Sequence, residues 1–99
     1  MDIGRAIRLC RTQKGWTQLE LSKRTGLTVP HLSMMEHNDR DPSMAAMQAL
    51  AKAFDLPLNV LVFLGSEPSE LTGLSDELKE KLSRAALTLL GLPSTRHLF

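Results

Sequence analysis

Residues 18–37 read QLELSKRTGLTVPHLSMMEH, and this stretch decides the fold. It predicts two short helices that cross at a tight turn. Ser22 provides the small residue that such a crossing needs, and Gly26 gives the turn a residue that tolerates positive φ. Apolar anchors before and after the turn should face inward: Leu21, Leu27, Leu32 and Met35. Each condition is common alone, but their combination at these offsets is fairly specific.

Helix signals continue on the N-terminal side of this stretch. Residues 2–14 repeat apolar side chains at helical spacing, with Asp2 as a plausible N-cap and Gly15 as a stop. Thr17 caps the next helix, and Glu20 three residues later matches a capping box. The sequence therefore predicts two helices before the turn.

Three more helices are predicted from the turn onward. Thr28 opens the third helix, and Pro30 fits its first turn because an N–H there would be unpaired anyway. Asn38 suits a left-handed backbone just after that helix. Ser43 caps a fourth helix, and Pro57 starts a short fifth.

The C-terminal third has a different organisation. We interpret residues 65–74, which are rich in Ser, Pro, Glu and Gly, as a linker. Ser75 caps a final helix with acidic residues in its first turn, where negative charge meets the positive end of the helix dipole. The predicted organisation is a domain over residues 1–64, the linker, and a C-terminal helix and tail over residues 75–99.

The composition favours an all-α domain. Of the 99 residues, 42% are hydrophobic and only 4% aromatic, and sheets are enriched in aromatic and β-branched side chains. The chain is too short for a two-domain enzyme with a deep cleft. The sequence shows no Ser–His–Asp grouping, metal-ligand set or glycine-rich phosphate loop. We therefore expect no enzyme activity, no metal and no cofactor.

Cysteine use and hydropathy bear on the compartment. Cys10 is the single cysteine, which excludes an intramolecular disulfide framework. The first residues, MDIGR, lack an apolar signal core, and the longest apolar run, residues 60–64, is too short to span a bilayer. We expect a cytoplasmic protein without a membrane partner.

Charge is distributed unevenly along the chain. The net charge is only +1, but residues 1–29 carry six basic against two acidic residues. Residues 43–99 carry five basic against six acidic residues. The basic end could attract a polyanion, although a solvated helix face explains the charges equally well.

The sequence resembles the Cro/Xre-type helix-turn-helix regulators, the phage-repressor-like DNA-binding domains, from Ile3 to about Leu64. The residues that carry the resemblance are Arg11, Trp16, Thr17, Gln18, Leu21, Ser22, Gly26, Leu27, Thr28, Leu32, Met35, Glu36, Asn38, Pro42, Leu50 and Ala51. The resemblance implies a five-helix lambda-repressor-like domain whose third helix lies in the major groove of double-stranded DNA. The final helix is an addition to that domain.

The resemblance also implies roles for individual residues. The phosphate-binding candidates are Gln18, Lys23 and Arg40. The base-reading candidates are Thr28, Val29, Pro30, His31, Ser33, Met34 and His37. Arg11 and Glu36 match a pair that is common in the family, and a structural tie between helices is the favoured interpretation of this pair. The reading surface departs from the usual chemistry because it lacks Arg, Lys, Asn and Gln. Specificity would then depend more on DNA shape, water and half-site spacing.

Three residue types have competing interpretations. His31 and His37 are six residues apart, which does not place them on one helical face, so exposed polar positions are favoured over metal ligands. If they face DNA, protonation would strengthen binding as pH falls. Cys10 lies on an apolar stripe, which favours core packing over redox sensing. Trp16 is interpreted as a packing residue.

The final helix carries an apolar stripe that needs a partner. Its dimer-interface candidates are Leu78, Leu82, Ala85 and Leu89, and packing back onto its own domain is the alternative. The sequence predicts a transcriptional regulator, a repressor on family grounds, that binds a palindromic operator as a homodimer. The alternatives are an antitoxin-like protein whose C-terminal segment binds a protein partner, and an interaction module without DNA binding.

Overall fold

A computed structural model describes residues 1–89 and 91, and this part of the chain contains helices and no strand. The elements are α1 (Ile3–Gln13), α2 (Gln18–Thr25), α3 (Val29–Glu36), α4 (Met44–Phe54), α5 (Leu58–Leu64), a 3-10 helix (Pro68–Leu71) and α6 (Asp76–Leu89). The all-α prediction of a five-helix domain with an additional C-terminal helix is confirmed.

Local capping explains where most of these helices begin. A side-chain oxygen accepts from a backbone N–H three residues later at five N-termini: Asp2, Thr17, Thr28, Ser43 and Ser75. Each bond satisfies a backbone donor that the helix itself leaves unpaired. Only one of the two bonds of the predicted capping box forms at α2. The N–H of Glu20 donates to the Thr17 hydroxyl, but the Glu20 carboxylate accepts from Arg24 Nε at 3.0 Å and not from the N–H of Thr17. The predicted caps are therefore correct, and the reciprocal bond is replaced by an ion pair along α2.

The turn between α2 and α3 is closed by a side chain. Gly26 ends α2 at φ 77°, in the left-handed region predicted for it. The Ser22 hydroxyl donates to the carbonyl oxygen of Leu27 at 2.5 Å, so this small residue holds the turn as well as allowing the crossing. Asp55 ends α4 at φ 57°, which the sequence analysis missed because Asp, unlike Gly, is a weaker signal for this backbone region.

One hydrophobic core joins the helices. Its largest fully buried side chains come from α1 to α5: Phe54, Ile7, Leu21, Leu32, Met35, Leu50, Leu61 and Cys10. Trp16 is half-buried and stacks on Phe54 with ring centroids 6.1 Å apart, which confirms its packing role. Burial raises the pKa of the Cys10 thiol to about 11, so the thiol stays protonated as core packing requires.

The C-terminal segment packs back on the domain. Helix α6 lies against α5, and Ala86, only 2% exposed, joins the hydrophobic core. The predicted linker, residues 65–74, contains the 3-10 helix, which Glu67 and Glu70 stabilise by a capping box. The division into a domain, a linker and a C-terminal element stays a prediction, and its last residues, 90 and 92–99, lie outside the described part of the chain.

Within the described residues, no single helix has the length and apolar character to cross a membrane. Helices α4 and α5 together pass that test of length and composition, but they are bent by 98° at their junction.

Candidate nucleic-acid interface

Helix α3 buries one side and leaves the other open. Leu32, Met35 and Glu36 are buried, whereas Met34 is 41% exposed and Pro30 is also exposed. The buried residues face α1 and α2, which are the helices that α3 packs against. A rigid helix with an uncovered outer face is the geometry that insertion into a DNA groove requires.

The seven base-reading candidates lie along this open side or at its edges. Thr28, Pro30, Met34 and His37 are exposed, and Val29, His31 and Ser33 are half-buried. Two of their polar groups have partners: the Thr28 hydroxyl accepts from the N–H of His31 at 3.3 Å, and His37 Nδ1 lies 2.7 Å from the Ser33 carbonyl oxygen. Val29, Pro30 and Met34 suit contact with thymine methyl groups, and none of the seven side chains is of the type that makes bidentate hydrogen bonds to guanine or adenine.

The phosphate candidates occupy three different positions around α3. Gln18 is the first residue of α2, where backbone N–H groups point out of the helix end. Lys23 lies in the last turn of the same helix, about 140° around the axis from Gln18 at five residues' separation. Arg40 is exposed in the loop after α3. Gln18 and Lys23 therefore lie on different faces of α2.

An ion pair ties α1 to the end of α3. Arg11 Nε donates to Glu36 Oε2 at 2.8 Å, and its Nη2 donates to Oε1 at 2.9 Å. Its Nη1 donates to the carbonyl oxygen of Trp16 at 2.9 Å. Glu36 is 3% exposed, so its carboxylate is directed inward and holds the helix rather than meeting a ligand.

A second junction between α1 and α3 was missed by the sequence analysis. Gly4 N–H donates to Asn38 Oδ1 at 3.0 Å, and Asn38 Nδ2 donates to Asp2 Oδ1 at 2.7 Å. The hydrogen bond from Asn38, followed by that from the N–H of Arg5, lowers the pKa of the Asp2 carboxyl. Gly4 itself was the available signal. A glycine lowers the stability of a helix, so a glycine in the amphipathic α1 indicates that close packing requires it there.

The histidines and the single cysteine were the candidates for metal ligands. In the described part of the chain, no three His, Cys, Asp or Glu side chains are grouped so as to hold a metal ion. His31 and His37 lie on α3 and at its C-cap, and Cys10 is buried in α1.

The dimer-interface candidates on α6 differ in exposure. Leu78, at 43%, and Ala85 are exposed, whereas Leu82 is half-buried. The side chain of Leu89 lies outside the described part of the structure. The helix can thus pack on α5 and still present Leu78 and Ala85 to another molecule.

The fold and the exposed third helix define a class of protein. The chain belongs to the helix-turn-helix family, which matches residues 7–61. This span runs from the middle of α1 into α5 and includes the whole of α2 and α3. The resemblance drawn from the sequence is confirmed.

Three relatives show what this chain is similar to. It is 36% identical over 64 residues to the competence pilus inhibition repressor of Acinetobacter baylyi, covering 65% of this chain and 58% of that protein. It is 31% identical over 87 residues to the HTH-type transcriptional regulator SinR of Bacillus subtilis, covering 87% and 78%. It is 29% identical over 59 residues to the antitoxin HipB of Escherichia coli, covering 60% and 63%.

Proposed function

We propose that this protein is a transcriptional repressor that binds a palindromic DNA operator as a homodimer. Helix α3 enters the major groove, and the N-terminus of α2 meets the flanking phosphate. The observation that carries the proposal is the open outer face of α3 on a chain of the helix-turn-helix family. Two of the similar proteins are named as a repressor and a transcriptional regulator, which supports the proposed role in transcriptional repression.

The homodimer is proposed because a single α3 reads too short a site. A two-fold pair would place two recognition helices about 34 Å apart, one turn of DNA. Leu78 and Ala85 on α6 supply an apolar face that the domain leaves exposed. Because Ala86 belongs to the core, deletion of α6 would damage the fold, and surface substitutions test the pairing better.

The function is tested by selection from fragments of genomic DNA, with the mass of the protein measured in parallel. The proposal expects enriched fragments that share an inverted repeat and a protein mass of two chains. A Leu78→Glu, Ala85→Glu variant should be monomeric and bind the repeat much more weakly. Arg84→Glu is the matched control, because it lies about 100° from Ala85 around α6 and should stay dimeric.

Three results would contradict the proposal. The first is failure to bind any fragment at low salt, which would favour an interaction module without DNA binding. The second is an enriched site without an inverted repeat. The third is a dimer that persists in the Leu78→Glu, Ala85→Glu variant, which would move the interface away from α6.

A second candidate is an antitoxin-like protein, favoured by the likeness to the antitoxin HipB. In this case the exposed face of α6 binds a different protein and α3 still binds DNA. Co-purification of a second small protein, lost in the Leu78→Glu, Ala85→Glu variant and kept in Arg84→Glu, would select this candidate. A purified chain that forms a dimer of two identical copies would select the first.

A further inference from the structure

We propose that Asp2 and Asn38 are positioning residues that set the orientation of the C-terminal end of α3 against DNA. The inference rests on the proposed function and adds to it two residues outside the reading surface. We call the two side chains and the hydrogen bonds that they make with α1 the Asp2–Asn38 bridge.

The bridge joins the start of α1 to the end of α3. Asn38 is the second residue after α3, and its amide uses both ends: Oδ1 accepts from Gly4 N–H at 3.0 Å and Nδ2 donates to Asp2 Oδ1 at 2.7 Å. The same Asp2 oxygen accepts from Arg5 N–H at 3.0 Å and thereby caps α1. One carboxylate oxygen therefore fixes two helices at once.

The backbone at this junction leaves no freedom for a looser arrangement. A Cβ atom on Gly4 would lie 2.6 Å from the carbonyl oxygens of both Met35 and Glu36. Asn38 itself has φ 57°, the left-handed conformation that directs its amide back toward α1. The bridge thus lies where the backbones of α1 and α3 are in direct contact. We expect a small displacement at this contact to shift the whole of α3.

Apolar packing alone fixes α3 incompletely, so the directional bonds at its C-terminal end, the Arg11–Glu36 pair and the Asp2–Asn38 bridge, together set its orientation. Leu32 and Met35 set how deeply α3 is buried, but hydrophobic contact has little directional preference. Hydrogen bonds weaken steeply when they are misaligned, so they resist rotation and tilt. Met34 and His37 lie in the last turn and at the C-cap of α3, next to the bridge, and depend on it for their placement.

The bridge also reaches the C-terminal segment. The N–H of Asp2 donates to the carbonyl oxygen of Gly65 at 2.6 Å, at the C-cap of α5. Asp2 therefore contacts both the residue that follows α3 and the point where the chain leaves α5 for the 3-10 helix and α6. The end of α3 is held relative to the whole domain and not to α1 alone.

Two substitutions remove the bridge while keeping the local backbone. Asn38→Gly keeps a residue that accepts positive φ and removes the amide. Asp2→Ser keeps an N-cap oxygen for Arg5 N–H but is too short to reach Asn38. Asp2→Asn is the conservative variant, since its amide oxygen can accept both bonds. Ser43→Ala removes a helix cap of the same kind from α4, outside both the bridge and the exposed face of α6.

The measurement is the dissociation constant for a scrambled duplex divided by that for a duplex of equal length that the wild-type protein enriches from a random library. Asp2→Ser should lower this ratio about fivefold, the loss expected for one net hydrogen bond, and Asn38→Gly, which removes two hydrogen bonds, should lower it at least as much. The double variant should lose no more than the more affected single variant. Asp2→Asn and Ser43→Ala should keep the wild-type ratio.

A second readout needs no DNA. Amide hydrogen exchange at Gly4, whose N–H donates to Asn38, should speed up in Asn38→Gly and stay slow in Ser43→Ala. Equal losses of affinity for both duplexes, or additive effects in the double variant, would overturn the positioning role. Slow exchange at Gly4 in Asn38→Gly would overturn it as well.

The outcomes separate this inference from the proposed function. A wild-type protein that does not discriminate between the two duplexes would refute the proposed function and with it this inference. A wild-type protein that discriminates, with an unchanged ratio in Asn38→Gly, would leave the proposed function intact and refute this inference alone.

Discussion

The guanidinium of Arg11 donates two parallel hydrogen bonds, of 2.8 and 2.9 Å, to the carboxylate of Glu36. Its third nitrogen donates to the carbonyl oxygen of Trp16, just before α2. One side chain of α1 therefore fixes both helices that form the turn. A bidentate pair specifies relative orientation as well as distance, which an apolar contact does not.

Glu36→Gln should destabilise the protein by about 3 kcal/mol, because it leaves the Arg11 charge without its partner in a poorly solvated site. Urea unfolding followed by circular dichroism measures the change. Glu80→Gln, which removes an exposed pair with Arg84, is the control and should cost less than about 0.5 kcal/mol. Similar costs for the two variants would contradict the structural role of the inner pair.

Gly4→Ala should destabilise the protein by about 2 kcal/mol, because the added methyl meets the carbonyl oxygens of Met35 and Glu36 at 2.6 Å. Thermal unfolding of the variant measures the effect. Gly73→Ala places the same methyl where nothing lies within 4 Å and should be close to neutral. A harmless Gly4→Ala would show that α1 and α3 are not in direct backbone contact.

Cys10 should resist alkylation in the folded protein. The thiol is fully buried and its pKa is raised to about 11 by desolvation, so both access and the reactive thiolate are lacking at pH 8. Mass spectrometry after iodoacetamide treatment, with and without urea, measures the protection. Modification at equal rates under both conditions would place Cys10 on the surface.

The same thiol makes stability depend on alkaline pH. Below pH 9 the thiol is protonated in both states, and between pH 9 and about 11 only the unfolded chain releases its proton. The free energy of unfolding should therefore fall across that interval, more in the wild-type protein than in Cys10→Ala. Parallel pH profiles for the two proteins would show that the raised pKa does not couple to folding.

Met34→Ala and Lys23→Ala should weaken DNA binding in different ways. Loss of Met34, an exposed apolar side chain of α3, should reduce the preference for the selected duplex over a scrambled one.

Loss of Lys23 should weaken binding to both duplexes alike and reduce by about 1 the slope of the logarithm of affinity against the logarithm of salt concentration. Titrations at several salt concentrations measure both effects. A changed preference in Lys23→Ala with an unchanged slope would remove it from the phosphate contacts.

Most helix boundaries could be predicted from the sequence because they depend on local bonds. Thr17, Thr28 and Ser43 each satisfy a donor three residues away, and Gly26 adopts a backbone that other residues avoid. The family and the candidate reading face followed from the same local pattern. Asp55 was missed because its left-handed backbone has no strong local signal.

The tertiary structure decided what depends on residues far apart in the chain. The bonds among Asp2, Gly4 and Asn38 exist only because α1 crosses the end of α3 at backbone contact. Likewise, the sequence left open whether α6 packs on its own domain, and only the structure shows Ala86 of this helix in the core. The local sequence determined the helices and their ends. The contacts between their side chains depended on how the helices pack, because those contacts join residues that are far apart in the chain.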